Sequence, residues 1–256
     1  MRRLLVLWFA CLCAVPALAG LPRPFPEIPT LANFVPKPGM GYILVRVPQI
    51  SGVRSFEPVL LRINTDADVA AVRAAVQTNF NESLRYHNVQ SIDDSKPLYK
   101  TKSESVYLVE ARPGRYVVYG VSWASGIAGV HTCFCLGTVG FDVEPNVITD
   151  IGYFYGDKVH SVSKIPELSA ESGFGPSSDV LGGYLLGGTM RPATPQSTLP
   201  SGFGLPVKAA QFYAVGKYYS AIAGGINRMV PIPGILDYDR GRVIDVQTGK
   251  VAPDHF

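Results

Sequence analysis

From residue 106 to residue 153 the chain keeps one structural period nearly unbroken, the two-residue alternation of a strand with one dry and one wet face. Within VYLVEARPGRYVVYGVSW, residues 106–111 and 116–123 are rich in Val, Tyr and Leu, and Pro113-Gly114 between them supplies turn chemistry. The pattern predicts a β-hairpin. A second is predicted in GTVGFDVEPNVITDIGYF, where Val139, Phe141 and Val143 alternate with Gly140, Asp142 and Glu144. Pro145 presets φ for the first corner of a turn and Asn146 tolerates positive φ at the second, so residues 147–154 are expected to return antiparallel.

The same period opens the region. Ile43, Val45 and Val47 share one face of a strand over residues 42–47 with Arg46 on the other, and residues 59–63 repeat the pattern. Between these strands and the hairpins the period changes. Thr65 is placed to cap a helix whose first turn carries Asp66 and Asp68, and Val69, Val72, Val76 and Phe80 fall at helical spacing. A helix over residues 66–80 is expected to pack its apolar stripe on the strands. Residues 81–102 are polar and interrupted by Pro97, and Asn81-Glu82-Ser83 matches a glycosylation sequon of low information.

Past residue 156 the period fades into turn-rich sequence. Phe212, Val215, Tyr219, Ile222, Ile226 and Met229 then recur every three or four residues, which predicts a second helix, weakened by Gly216, Gly224 and Gly225. Lys217 and Arg228 enclose too few residues for it to cross a bilayer. Residues 242–246 read as a final edge strand. The expected architecture is therefore mainly β: an antiparallel β-sandwich over residues 42–156 with one packed helix, and a loop-rich C-terminal extension over residues 157–256 that packs on it and contains a possible helix.

Composition supports that class, since 21 prolines and 26 glycines in 256 residues call for many turns, and 47% hydrophobic against 17% charged residues allows a real core. Six prolines between residues 20 and 41 predict an extended arm that spaces the domain or lies along its surface. The opening MRRLLVLWFACLCAVPALAG reads as a secretory signal peptide over residues 1–19, with Ala17 and Ala19 fitting the peptidase. Trp8, Phe9 and Ala10 are a poor lead-in for lipidation at Cys11. Cleavage after Ala19 would take Arg2 and Arg3 from 23 basic residues that face 20 acidic ones, so nothing in the balance favours nucleic acid. It would also leave Cys133 and Cys135 as the only cysteines.

His131-Thr132-Cys133-Phe134-Cys135 is the sharpest local feature. On an extended strand the three alternate residues point one way, so an imidazole and two sulfurs could hold copper or zinc if another element closed the sphere. The favoured reading is plainer: both cysteines are small buried hydrophobes on the face of Val139 and Phe141. A disulfide is the third reading. Export would favour oxidation, but bonding residues two apart requires a kink in the strand.

Paired catalytic groups are otherwise scarce. Gly120-Val121-Ser122-Trp123-Ala124 starts like a nucleophile elbow without its closing glycine, and Ser161-Val162-Ser163-Lys164 has the serine-lysine spacing without companion motifs. Asp237, Asp239 and Asp245 could hold calcium, but read better as turn formers partnered by Arg240 and Arg242. His87, His160 and His255 carry no assigned role.

Through SVYLVEARPGRYVVYG and GTVGFDVEPNVITDIGYF, residues 40–156 resemble bacterial periplasmic and lipoprotein β-sandwich domains whose function is uncharacterised, with the strand rhythm of transthyretin-like and carboxypeptidase-regulatory-like sandwiches. MRPATPQSTLP and RMVPIPGILDYDRGRVID are similar to tails of exported proteobacterial proteins. The resemblance implies a sandwich fold and an envelope location, and carries no catalytic residues. The expectation is an exported, periplasmic or outer-membrane-associated protein without enzymatic activity, meeting envelope partners through strand edges or its C-terminal extension. The alternative is a periplasmic metal-binding or thiol redox protein using His131, Cys133 and Cys135.

Overall fold

The computed structural model describes residues 34–48, 55–63, 65, 67, 70, 74, 89–91, 97–100, 104–125, 128–158, 186–194, 203–217 and 225–254. Its described residues are mainly β, arranged in three sheets. The first runs β10 (Leu186–Arg191), β9 (Ile148–Lys158), β1 (Gly41–Pro48), β5 (Glu104–Ala111), β4 (Tyr99–Lys100), with β11 (Val207–Ala209) also on β9. The second runs β12 (Tyr213–Val215), β8 (Thr138–Val143), β6 (Gly114–Ser125), β2 (Ser55–Arg62), β3 (Val89–Ser91), and extends from β6 through β7 (Ala128–Cys133) to β13 (Gly225–Ile226). The third is β14 (Leu236–Asp239), β15 (Arg242–Asp245) and β16 (Lys250–Val251).

Neither predicted hairpin pairs with itself. β5 belongs to the first sheet and β6 to the second, and β8 and β9 are divided the same way. Both tight turns are corners that carry the chain from one sheet to the other. The first is held by Arg62, whose Nε donates to the Pro113 carbonyl at 3.1 Å, and by the Tyr116 hydroxyl, which donates to the Arg112 carbonyl at 2.9 Å. At the second, Asn146 takes the positive φ expected of it, 57°, and its Oδ1 accepts the Gly39 amide at 2.9 Å. The true neighbours are distant in sequence: β1 pairs antiparallel with β5 and parallel with β9, while β6 pairs with β2, β7 and β8.

All three sheets contribute to one core. Ile43, Val45, Val47, Val109 and Phe154 come from the first, Leu60, Val118, Val139 and Phe141 from the second, and Leu236 and Val243 from the third. Burial of each such large side chain contributes about 1.5–3 kcal/mol. The first sheet's opposite face is also buried: Tyr42, Leu44, Val106, Leu108 and Ile148 pack with Phe203 and with Phe34 of the arm, whose ring meets Tyr42 edge-on at 5.1 Å. The described end of the proline-rich arm thus lies along the sheet.

Two further expectations are corrected. The C-terminal helix is absent where its residues are described, because Tyr213–Val215 and Gly225–Ile226 are strands. Phe212 and Ala214 face the common core while Tyr213 and Val215 join the cluster on the second sheet's other side, so both faces are apolar and no two-residue period shows. Of residues 242–246, Arg242–Asp245 do form a strand, but β15 is the centre of its sheet and not an edge. Of the helix predicted over 66–80, only Ala67, Ala70 and Ala74 are described, each helical and exposed, so the packing of its apolar stripe lies outside the described residues. Among the described residues no helix is long and apolar enough to cross a membrane.

Candidate functional site

Chemistry-bearing side chains concentrate where β7 ends. Strand β6 carries one extra residue there: Val59 of β2 faces Gly120 and Leu60 faces Val118, leaving Tyr119 as a bulge. Gly120 pairs with Cys133, and a Cβ on it would stand 2.1 Å from the Thr132 carbonyl oxygen, so only glycine admits β7 this close. The Tyr119 carbonyl then accepts the Phe134 amide at 2.7 Å, and the chain leaves the strand into a turn closed by Gly137 at φ 150°.

That turn is the kink a bond between the cysteines requires. Cys133 and Cys135 form a disulfide with their Cα atoms 5.2 Å apart, against about 6.6 Å for two residues of extended strand. Phe134 between them points the other way, into the common core beside Phe154 and over Gly188, where a Cβ would clash with its ring. Both sulfurs lie in the cluster of Val59, Leu61, Val117, Tyr119 and Val215. The face expected for them, that of Val139 and Phe141, is therefore corrected: the turn over residues 134–137 resets the alternation before β8 begins. The Tyr119 hydroxyl donates to Cys135 Sγ at 3.7 Å, and both groups are buried.

The C-terminal chain closes over this corner. The Asn227 amide donates to the Cys133 carbonyl at 2.8 Å, and the Asn227 carbonyl accepts the Leu136 amide at 3.0 Å. Arg228, only 2% exposed, holds its guanidinium 4.9 Å from the centre of the Tyr238 ring, a cation on the negative face of an aromatic. The Tyr238 hydroxyl donates to the Met229 carbonyl at 2.6 Å. Burial pushes this phenol well above its ordinary range, with Arg228 pulling the other way, so it remains a donor at neutral pH.

Two other buried polar groups join separate strands. Tyr107 of β5 donates to Glu57 of β2 at 3.0 Å and so links the first sheet to the second. Burial, then the Glu57 charge and hydrogen bond, raise the Tyr107 phenol. Arg46 of β1 and Asp150 of β9 form a paired-hydrogen-bond ion pair at 3.1 Å. Sequence reasoning placed Arg46 on the face away from the core but did not find its partner. The available signal was one aspartate inside the apolar run of residues 147–154. Asp237, Asp239 and Asp245 act as acceptors for protein donors. Asp237 takes the Tyr238 amide, Asp239 pairs with Arg242 at 2.6 Å, and Asp245 accepts from Thr248 and Ala214.

His131 occupies the position opposite Ser122 in the β6–β7 register, and its side chain lies outside the described residues. The structure thus joins Cys133 to Cys135. In the bonded state neither sulfur is a thiolate, the form that ligates copper or zinc. Among the described residues there is no group of three or more His, Cys, Asp or Glu arranged to hold a metal. Ser122 lies mid-strand in β6 and is buried, rather than at a strand-to-helix elbow. The Ser161-Lys164 motif, the sequon, the signal segment and His87, His160 and His255 lie outside the described residues. No protein-family model matches this sequence, and neither a curated protein nor a solved structure matches it.

Proposed function

We propose that the chain is an exported β-sandwich protein without enzymatic activity, holding a structural or partner-binding place in the cell envelope. The observation that carries this reading is the bond between Cys133 and Cys135, the only cysteines beyond the expected leader. Protein disulfides persist in oxidising compartments and are rare in the cytosol. The sandwich is supported by two large sheets that share one core and exchange strands at tight corners. Partner binding would add a strand at a sheet end, where β4 and β3 are short. Photo-crosslinking from position 90 or 100, in cells that make the protein with its own leader, is expected to trap a discrete envelope protein. Substrate turnover by the purified chain that is lost on changing a single buried polar residue would overturn the reading.

A second reading, a periplasmic metal or thiol redox protein using His131, Cys133 and Cys135, is supported by the adjacency of the two sulfurs and by the Tyr119 hydroxyl on Cys135. Copper or zinc would bind only after reduction. Elemental analysis of protein taken from its native compartment separates the two: bound metal with reduced cysteines favours the second, a metal-free bonded pair the first.

A further inference from the structure

The turn bent by the disulfide is also the seat of the C-terminal chain. Ile226 is the register partner of Cys133 in the parallel pair, and Asn227 is held through its amide by Cys133 and through its carbonyl by Leu136. The Met229 amide donates to the Gly137 carbonyl at 2.9 Å. All three contacts fall on residues 133–137, so they depend on the shape of that turn. Relaxing the Cα separation of 5.2 Å toward the spacing of an open strand would carry the Leu136 amide and the Gly137 carbonyl away from their partners. Beyond the grip the segment reaches the first sheet, where the Val230 amide donates to the Gly188 carbonyl at 3.0 Å, and it leads into the third sheet. Asn227, Arg228 and Met229 are all buried.

We propose that the Cys133–Cys135 bond is a redox-operated clasp on the C-terminal segment: bonded, it holds residues 225–230 along the edge of the second sheet and against β10 of the first, and reduced, it loosens them. Opening requires a dithiol. One reductant thiolate attacks Sγ of Cys135, the less deeply buried of the two residues, to form a mixed disulfide and release the Cys133 thiolate. The reductant's second thiol then displaces Cys135, so that two electrons and two protons end on the cysteine pair and the reductant leaves as a cyclic disulfide. A ring closed by residues two apart removes little entropy from the unfolded chain, so the consequence of reduction is local rather than global. The clasp is independent of the export reading, because it concerns what the bond holds wherever it forms.

The test is amide hydrogen exchange on the full chain, compared in the oxidised form, after dithiothreitol with thiol alkylation to count opened bonds, and in a Cys133→Ser/Cys135→Ser variant. The amides of Leu136, Asn227, Met229 and Val230 are expected to exchange at least ~10-fold faster once the bond is absent, with Ile43, Val45 and Val109 unchanged. Reoxidation should restore protection. Unaltered protection at those four amides, in the reduced chain or the variant, would overturn the clasp. So would acceleration spread evenly through both large sheets.

Discussion

Arg46 and Asp150 meet through two parallel hydrogen bonds, Nη1 to Oδ1 and Nη2 to Oδ2, each 3.1 Å long, on the face of the first sheet turned away from the common core. The same Asp150 Oδ1 accepts the Gly152 amide at 2.9 Å, where β9 carries an irregularity opposite Leu44 and Val45 and Gly152 turns to φ 87°. One carboxylate thus fixes both the charge and the register of the parallel β1–β9 pair. Asp150→Ala is expected to cost about 3–5 kcal/mol, because it strands a guanidinium and releases the bulge. Arg46→Lys should also destabilise, since an ammonium cannot reproduce the fork. Denaturant unfolding of the two variants checks both.

At the alkaline end, Tyr107 and Tyr238 are expected to contribute to the loss of stability. Both phenols are raised above the ordinary 10.0 in the folded chain, chiefly by burial. The folded state therefore prefers the protonated form. Their contribution is complete below the unfolded value and is lost as pH rises beyond it toward the folded values. Tyrosinate absorbance during alkaline titration should show these two phenols ionising together with unfolding, and Tyr107→Phe should remove part of that alkaline loss at a cost of about 1 kcal/mol at neutral pH.

The acid end involves Asp245. Burial opposes its ionisation, but hydrogen bonds from the Thr248 and Ala214 amides, the Thr248 hydroxyl and the Gln247 amide outweigh it and bring its pKa below the ordinary 3.8. A depressed pKa means stability that is present above the unfolded value and lost as pH falls through the folded one. Asp245→Ala is expected to destabilise by about 1 kcal/mol at neutral pH, a modest cost because water screens the group. The difference from the native chain should vanish in acid, measured as the gap between thermal midpoints.

Arg240 sits at φ 50° and Gly241 at φ 76° in the two-residue turn joining β14 to β15. A turn with both corners at positive φ prefers Asn-Gly, and arginine accepts that conformation at a cost. Its own ion pair with Asp239 spans 3.9 Å between exposed groups and offsets little of it. Arg240→Asn should raise stability by about 1 kcal/mol in the same unfolding assay.

Much of the β class was legible in the sequence, and the pairing was not. The alternation of Ile43, Val45 and Val47 with Arg46 assigned faces correctly, and Asn146 took the positive φ read from its turn. Pro113-Gly114 and Pro145-Asn146 are equally suited to a hairpin and to a corner between sheets. Which one forms depends on whether the flanking strands are covered on both faces. β5 is buried at every position after Glu104, so its true partner, β1, left no mark in its pattern. The C-terminal strands carry helical spacing for the same reason: Tyr213–Val215 is apolar on both sides, and the glycine after it admits the backbone of residues 252–253. The spacing of the cysteines allows a bond only through a kink, and the turn that supplies it goes with the bulge at Tyr119 and the contact at Gly120, tertiary features that local spacing does not record.

Mass spectrometry of the protein recovered from its native cells, alkylated before any reductant is added, reads leader cleavage and cysteine state in a single spectrum. The account predicts a chain that starts at Gly20 with Cys133 and Cys135 linked and unalkylated. A chain that keeps residues 1–19 and carries alkyl groups on both cysteines would contradict it.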